Sequence, residues 1–402
     1  MSPDHDSATA RRNVFLLACC QALLLTNAVT LIAVSSLVGY AIAENKALAT
    51  MPATLYTIGV AITAFPASMW MKRVGRRNGF LTGVAFGIAG TALATFAVSR
   101  ADFVLFCVSM PIMGAYNAFG QYYRFAAADT ASADFKAKAI SYVLAGGLAG
   151  GIIGPEVSRH TRNLAQPEYV ATFASLIAFC FVAAAIVSLV RIPQSADAAG
   201  GAPPRPLGEI ARQPTFIVAV AVGALGYAVM NLLMTATPLA MSFCGHPYDA
   251  AALVISSHVI GMFAPSFFTG SLIRRFGVLQ VMLAGVACLF ACVGFALAGQ
   301  AVTNFWWALV MLGIGWNFTY IGGSTLLTET YRPSEKAKAQ GTNEITVFGV
   351  QALSSFAAGV LVNTAGWATL NYVGFLMAAC AGCAAAWLLA ARRRSPAAPI
   401  AP

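Results

Sequence analysis

Long apolar runs separated by short polar or glycine-rich breaks cover most of this chain. Twelve runs reach membrane-spanning length: Val14 to Leu37, Leu48 to Met71, Phe80 to Val98, Phe103 to Ala127, Ala139 to Pro155, Tyr169 to Val190, Phe216 to Ala236, Ala250 to Ile273, Val278 to Leu297, Phe305 to Leu327, Gly341 to Val362 and Leu370 to Leu389. A helix needs ~20 residues to cross a ~30 Å hydrocarbon core, so the pattern predicts an all-α membrane protein with twelve transmembrane helices. Most breaks are short, which makes consecutive helices antiparallel neighbours. The longest, from Ile192 to Pro214, carries Gly200-Gly201 and Pro203-Pro204 and no apolar periodicity before Leu207-Gly208-Glu209-Ile210. It reads as a linker. The predicted organisation is a tail over 1–13, a six-helix bundle over 14–191, the linker over 192–213, a second six-helix bundle over 214–391 and a tail over 392–402. Because Met1 to Asn13 is polar and the first apolar run is long, that run is expected to be an uncleaved first helix.

The halves repeat one another. Tyr116-Asn117, Asp129 and Lys136-Ala137-Lys138-Ala139 recur 200 residues later as Trp316-Asn317, Glu329 and Lys336-Ala337-Lys338-Ala339. A diverged internal copy inside apolar runs predicts two pseudo-symmetric bundles, an organisation used by many secondary transporters.

Composition agrees with lipid as the solvent. Charged residues make up 9% of the chain and hydrophobic residues 59%, against about 25% charged in an ordinary soluble domain. The net charge of +10 would suit nucleic acid, but its distribution points to membrane topology instead. With a cytoplasmic N-terminus, 19 of the 24 basic residues fall on the inner side, Lys46, Arg100, Arg159 and Arg162 fall outside, and Arg124 lies near the inner end of its span. The positive-inside bias therefore predicts cytoplasmic termini and no nucleic-acid partner. Eight of the nine cysteines lie within predicted spans, where small apolar packing accounts for them. Cys244 has no second cysteine outside the membrane to pair with, and Cys380-Ala-Gly-Cys383 lacks a second pair, so no metal site is predicted.

A second internal match lies in the hairpins that join the second and third helix of each half. Ser68-Met69-Trp70-Met71-Lys72-Arg73-Val74-Gly75-Arg76-Arg77 parallels Gly270-Ser271-Leu272-Ile273-Arg274-Arg275-Phe276-Gly277. With these hairpins the chain resembles the major facilitator superfamily along its whole membrane region. The family's hairpin motif is Gly-x-x-x-Asp-Arg-x-Gly-Arg-Arg, and Ser68 and Lys72 stand where it has the glycine and the aspartate. Gly270 and Arg274 stand there in the second copy, so the aspartate is missing from both. The resemblance implies a gating role for Arg73, Gly75, Arg76, Arg275 and Gly277, with Asp129 and Glu329 as the acids that end the fourth and tenth helices beside basic hairpins. Solvated helix ends are the structural alternative for these two acids. Gly150-Gly151-Ile152-Ile153-Gly154-Pro155 is similar to the Gly-x-x-x-Gly-Pro core of the family's proton-exchanging exporters. Here the glycines permit close helix approach and the proline bends the span. Glu156, Val157, Ser158 and Arg159 follow where the family has small residues.

Polar residues inside the spans carry the candidate chemistry. Asn27, Asn117, Asn231 and Asn317 fall near the middle of the first, fourth, seventh and tenth spans, which line the central cavity in the resembled fold. They read either as a hydrogen-bonding ring for substrate or as interhelical ties. Asn117, Gln121 and Arg124 follow i, i+4, i+7 spacing and make one polar stripe. Arg124 is read as attracting an anionic or carbonyl group, as latching to Glu344 of the eleventh helix, or as snorkelling to the interface. Glu156, His258 and Glu344 are the proton-coupling candidates, with a neutral structural histidine as the alternative for His258. Trp316 and Tyr320, with other aromatics of the fourth and tenth helices, suit a flat amphipathic molecule.

These features predict a monomeric secondary transporter of the bacterial inner membrane that moves a small organic molecule by alternating access. Proton-coupled efflux is the first reading and proton-coupled uptake the second, and a membrane sensor or scaffold is the reading of another class. The sequence lacks a Gly-x-x-x-x-Gly-Lys-Ser/Thr loop and any assembled nucleophile and base, so neither ATP drive, an enzymatic activity nor a cofactor is expected.

Overall fold

A computed structural model of the chain describes residues 3–45, 48, 51–192 and 204–394. Residues 193–203 of the expected linker, Lys46 and the end of the C-terminal tail lie outside the described residues. Among the described residues there is no strand. The helices are α1 (Pro3–Ile42), α2 (Met51–Val74), α3 (Arg76–Ser99), α4 (Phe103–Gly120), α5 (Tyr123–Asp129), α6 (Lys136–Thr161), α7 (Val170–Leu189), α8 (Leu207–Ala211), α9 (Pro214–Phe243), α10 (Tyr248–Phe263), α11 (Ser266–Phe276), α12 (Val278–Ala298), α13 (Val302–Leu327), α14 (Lys336–Thr364) and α15 (Gly366–Arg394). The α4–α5 and α10–α11 pairs each occupy one predicted span, and α8 is a short segment that precedes the seventh.

Among the described residues, ten helices are long and apolar enough to cross a membrane, or eleven when the bent α10–α11 pair counts as one span. The remaining long helix is α13, with 26 residues. Its apolar run is diluted by Asn304, Trp306, Trp307, Trp316, Asn317 and Tyr320, and most of its second half is buried against protein. A helix shielded from lipid does not need a uniformly apolar surface. Elsewhere large apolar side chains such as Phe15, Phe181, Leu353 and Phe356 point outward, as expected for a surface solvated by lipid. The chain is a multi-pass integral membrane protein.

The chain divides into two compact units. The first contains Met1–Gly201 together with Lys336–Phe348, the beginning of α14, and the second contains Ala202–Glu335 and Gly349–Pro402. In the first unit α1 packs along α6, and α4 packs against α2 and α3. The α1–α6 approach depends on glycine, since a Cβ at Gly146 or Gly150 would collide with the carbonyl oxygens of Ala18 and Ala22. Thr30 Oγ1 then donates to the carbonyl of Gly154 at 2.8 Å. Without water to compete, backbone contact and such bonds hold helices together where apolar burial alone would not.

In the second unit α13 is central, packed by α9, α10 and α12. The span containing α10 and α11 bends by 42° at Ala264–Pro265. Proline removes an N–H and displaces the preceding turn, leaving carbonyl groups that need other donors. Asn317 of α13 supplies one, with Nδ2 donating to Met262 O at 2.6 Å and to Ser266 Oγ at 2.6 Å. Its Oδ1 accepts from Thr269 Oγ1 at 2.7 Å.

The two hairpins share one backbone conformation. Gly75 has φ 84° and ψ 161°, and Gly277 has φ 95° and ψ 153°. Glycine adopts this region without a Cβ penalty, which gives the repeated glycine its physical reason.

Two stability measurements check this packing. Gly150→Leu is expected to lower the thermal midpoint in detergent, at a cost of about 1–3 kcal/mol from overpacking. An unchanged midpoint would contradict the α1–α6 approach. Asn317→Ala removes three bonds at a helix break and is expected to cost about 1–3 kcal/mol by the same assay. Asn117→Ala, which loses one side-chain bond, is expected to shift the midpoint less.

Candidate functional site

The fourth span breaks between α4 and α5, at Gln121–Tyr122, just before its arginine. Gln121 and Tyr122 both keep right-handed helical dihedral angles, and 103–129 continues as one span. Gln121 Nε2 still donates to Asn117 Oδ1 at 2.8 Å, and Arg124 Nη1 turns back to the carbonyl of Gln121 at the break. The other arm, Nη2, donates to Glu344 Oε1 at 2.6 Å. Side-chain exposure is 1% for Arg124 and 0% for Glu344, so the pair is held out of water rather than snorkelled. Asn343 Nδ2 also donates to Glu344 Oε1, at 2.7 Å, while Glu344 Oε2 has no hydrogen-bond partner. Asn27 of α1 donates to Leu23 O within its own helix and accepts weakly from the Cys180 thiol.

A second polar group gathers around Arg76, the first residue of α3. Its Nη2 lies 3.1 Å from Asp129 Oδ2 and also donates to Gln340 Oε1. Lys336 Nζ reaches the same Asp129 oxygen at 3.2 Å. Ser68 Oγ donates to Ala337 O at 2.7 Å, and Tyr122 OH donates to Ala64 O at 2.6 Å. Ser68 stands where the hairpin motif carries glycine, and its hydroxyl ties α2 to the start of α14. Arg73 is exposed and takes no part. In the second hairpin Val278 follows Gly277 where Arg76 follows Gly75, so the buried cluster has no counterpart there. Arg275 is exposed over the Phe276 ring, and Glu329 pairs with Arg392 at 2.8 Å in solvent-exposed surroundings.

In the second unit the predicted residues separate by environment. Asn317 has its amide committed to the α10–α11 break, as described above. Asn231 is half-buried and donates to Gln351 O at 3.2 Å. Trp316 and Tyr320 stack with ring centres 4.9 Å apart and an interplanar angle of 21°. Tyr227 meets both edge-on, at 5.5 Å and 5.3 Å. His258 is fully buried, with Nδ1 2.8 Å from Leu309 O. A carbonyl only accepts, so Nδ1 carries the hydrogen and Nε2, which has no partner, is the bare nitrogen.

Other predicted positions lie apart from these groups. Glu156 and Arg159 form a pair at 3.4 Å with side chains 50% and 74% exposed. Pro155 is exposed, whereas Gly150 and Gly154 are buried against α1.

Several residues emerge only in three dimensions. Gln340 and Asn343 join Glu344 on α14, and the four-residue spacing of Lys336, Gln340 and Glu344 at the start of an apolar run was their available signal. Tyr227 gave no signal beyond its type. Arg205, at the end of the linker region, holds Glu335 Oε2 at 2.7 Å and also donates to the Thr330 carbonyl. That carboxylate pushes the Arg205 guanidinium above its ordinary pKa.

The family model described as Major Facilitator Superfamily matches residues 14–341 and 248–401. The chain is 40% identical over 373 residues to the riboflavin transporter RfnT of Brucella anthropi, covering 92% of this chain and 94% of that protein. It is 28% identical over 394 residues to the uncharacterized MFS-type transporter YdeG of Bacillus subtilis, covering 94% and 91%. Among solved structures it is similar to the proton:xylose symporter XylE, with a TM-score of 0.77 at 13% identity over 94% of this chain and 95% of that one. The transporter FucP in its outward conformation gives a TM-score of 0.75 at 17% identity over 93% and 98%. These last two likenesses concern the fold. The chain thus belongs to the Major Facilitator Superfamily, as a membrane transporter rather than an enzyme.

Proposed function

We propose that this protein carries riboflavin, or a flavin closely related to it, across the bacterial inner membrane by proton-coupled alternating access. The observation that carries the substrate is the 40% identity with a riboflavin transporter along nearly the full length of both chains. The ring cluster of Trp316, Tyr320 and Tyr227 suits the flat heterocycle of a flavin. Half-buried Asn231, one turn from Tyr227 on α9, offers an amide to its hydroxylated chain. In this reading the protein works as a monomer with both termini cytoplasmic, and its bundles span 14–191 and 214–391.

Coupling is assigned to Glu344. The carboxylate is buried, one oxygen is unpartnered, and the other is shared by Arg124 and Asn343. Opening that carries Lys336–Phe348 away from the rest of the first unit must break four ties together: Arg124–Glu344, Arg76–Gln340, Asp129–Lys336 and Ser68–Ala337. Separating a buried ion pair leaves an uncompensated charge, at a cost of about 3–5 kcal/mol when one partner is lost. A proton taken up by Glu344, or a substrate group that replaces it at Arg124, lowers that cost. Asp129, Arg76 and Ser68 act in this scheme as the inner gate. Glu156 and His258 are secondary, the first because it is exposed beside Arg159 and the second because its ring is packed in the protein. Export by antiport is the direction that the glycine–proline helix favours, and uptake by symport uses the same residues.

Proteoliposomes with an imposed pH gradient test both parts through the intrinsic fluorescence of riboflavin. Wild-type protein is expected to move riboflavin against its own gradient, and the sign of the pH step assigns direction. Movement that ignores the pH step would falsify the coupling, and no riboflavin movement at all would remove the substrate. Glu344→Gln is expected to abolish the pH-driven component and keep exchange of riboflavin between equal concentrations. A variant that still accumulates riboflavin would exclude Glu344 as the proton-exchanging group.

A further inference from the structure

The ring cluster of the second unit contains polar atoms that its packing does not use. Trp316 is 2% exposed, and its indole Nε1 has no hydrogen-bond partner. Buried tryptophan normally finds an acceptor for this N–H, and leaving it unmet forfeits the bond it makes with water in the unfolded chain. The neighbouring rings explain why none is found. Phe263 meets the indole at 5.7 Å, Tyr227 at 5.5 Å and Tyr320 at 4.9 Å, so ring surface rather than carbonyl surrounds it. One turn beyond Tyr227 on the same face of α9, Asn231 donates to the backbone oxygen of Gln351. The side-chain Oε1 of Gln351 is buried and also unpartnered. Trp316 Nε1 is thus an unmet donor among rings, and Gln351 Oε1 is an unmet acceptor on the residue whose carbonyl Asn231 holds one turn from Tyr227. A planar molecule whose edge carries both complementary groups would satisfy the two.

Resting on the flavin reading above, we propose that the second unit recognises the imide edge of the flavin ring, with the Trp316 indole N–H donating to a ring carbonyl and Gln351 Oε1 accepting the imide N–H. The rings of Trp316, Tyr320 and Tyr227 hold the heterocycle by stacking and edge contact. Specificity follows from the unmet pair. A flat molecule without a carbonyl beside an N–H leaves both protein atoms unsatisfied, and a site with buried polar groups rejects such a ligand more strongly than a purely apolar slot does. Asn317, next to Trp316 in the chain, is separated from this task because its amide is committed to the helix break.

The test uses the full chain in nanodiscs, with riboflavin and 3-methylriboflavin titrated by quenching of flavin fluorescence. Methylation removes the imide hydrogen and leaves the ring system intact. Wild-type protein is expected to bind 3-methylriboflavin roughly 3- to 10-fold more weakly than riboflavin, the worth of one neutral hydrogen bond. Gln351→Leu should bind riboflavin more weakly and erase the difference between the two ligands. Trp316→Phe, which keeps a ring and removes the N–H, should weaken both ligands by a similar factor and preserve their ratio. The ligand comparison on wild-type protein needs no variant to fold. Equal affinity of wild-type protein for both flavins, or unchanged riboflavin affinity in Trp316→Phe, overturns the edge recognition and leaves flavin transport standing. Failure of wild-type protein to bind either flavin overturns the edge recognition and the flavin reading together.

Discussion

Inside a hydrocarbon layer no water is available to a backbone carbonyl that loses its helical partner, so every interruption of a span must be repaired by the protein. This constraint organises the polar chemistry of the chain. The fourth span breaks at Gln121–Tyr122, where Arg124 donates to the Gln121 carbonyl. The eighth breaks at Ala264–Pro265, and Asn317 donates to Met262 O beside it. An arginine and an asparagine thus stand where a uniformly apolar span would need neither. Asn317 spends its remaining bonds on Ser266 and Thr269 beside the same break, whereas the second arm of Arg124 reaches α14 and holds Glu344.

Duplication supplied the same scaffold twice, and the two copies have since diverged in charge. Gly75 and Gly277 keep nearly the same dihedral angles, so both hairpins turn alike. Past the turn, Arg76 enters a buried network with Asp129 and Gln340, while Val278 in the second copy has nothing to contribute to one. Similarly Asp129 is enclosed by Arg76 and Lys336, whereas Glu329 meets Arg392 in exposed surroundings. Exposed pairs of this kind are worth ~0–1 kcal/mol, and buried ones resist separation far more. The first copy thus carries the polar contacts with the start of α14, and the second carries the aromatic cluster around Trp316.

Much of this was legible in the sequence for simple reasons. Apolar run length announces a span because the membrane has a fixed thickness, and a 200-residue repeat of Asn, acid and Lys-Ala-Lys-Ala announces duplication. The tenth span shows where a hydropathy reading and a packed structure part company. α13 looks less apolar than its neighbours because protein, rather than lipid, covers its Trp316, Asn317 and Tyr320. Among the candidate residues, similar depth on the fourth and eleventh helices suggested the Arg124–Glu344 latch, with snorkelling of Arg124 as an alternative. The four central asparagines, alike in type and register, were indistinguishable in sequence. They differ in the structure because an amide's role depends on which neighbours need a donor: Asn317 faces a broken helix, Asn27 its own backbone, Asn117 a glutamine and Asn231 a carbonyl of α14.

The sequence alone determined the membrane class, the twofold repeat, the hairpin glycines and the set of intramembrane polar residues, because those depend on composition, length and local backbone preference. Tertiary structure decided which of those residues are satisfied and which remain open. Hydrogen-bond capacity is a property of one side chain, but its use depends on atoms that arrive from distant parts of the chain. Trp316 Nε1, Gln351 Oε1 and Glu344 Oε2 remain unpartnered for that reason, and no spacing rule could have separated them from Asn317, whose amide is fully engaged.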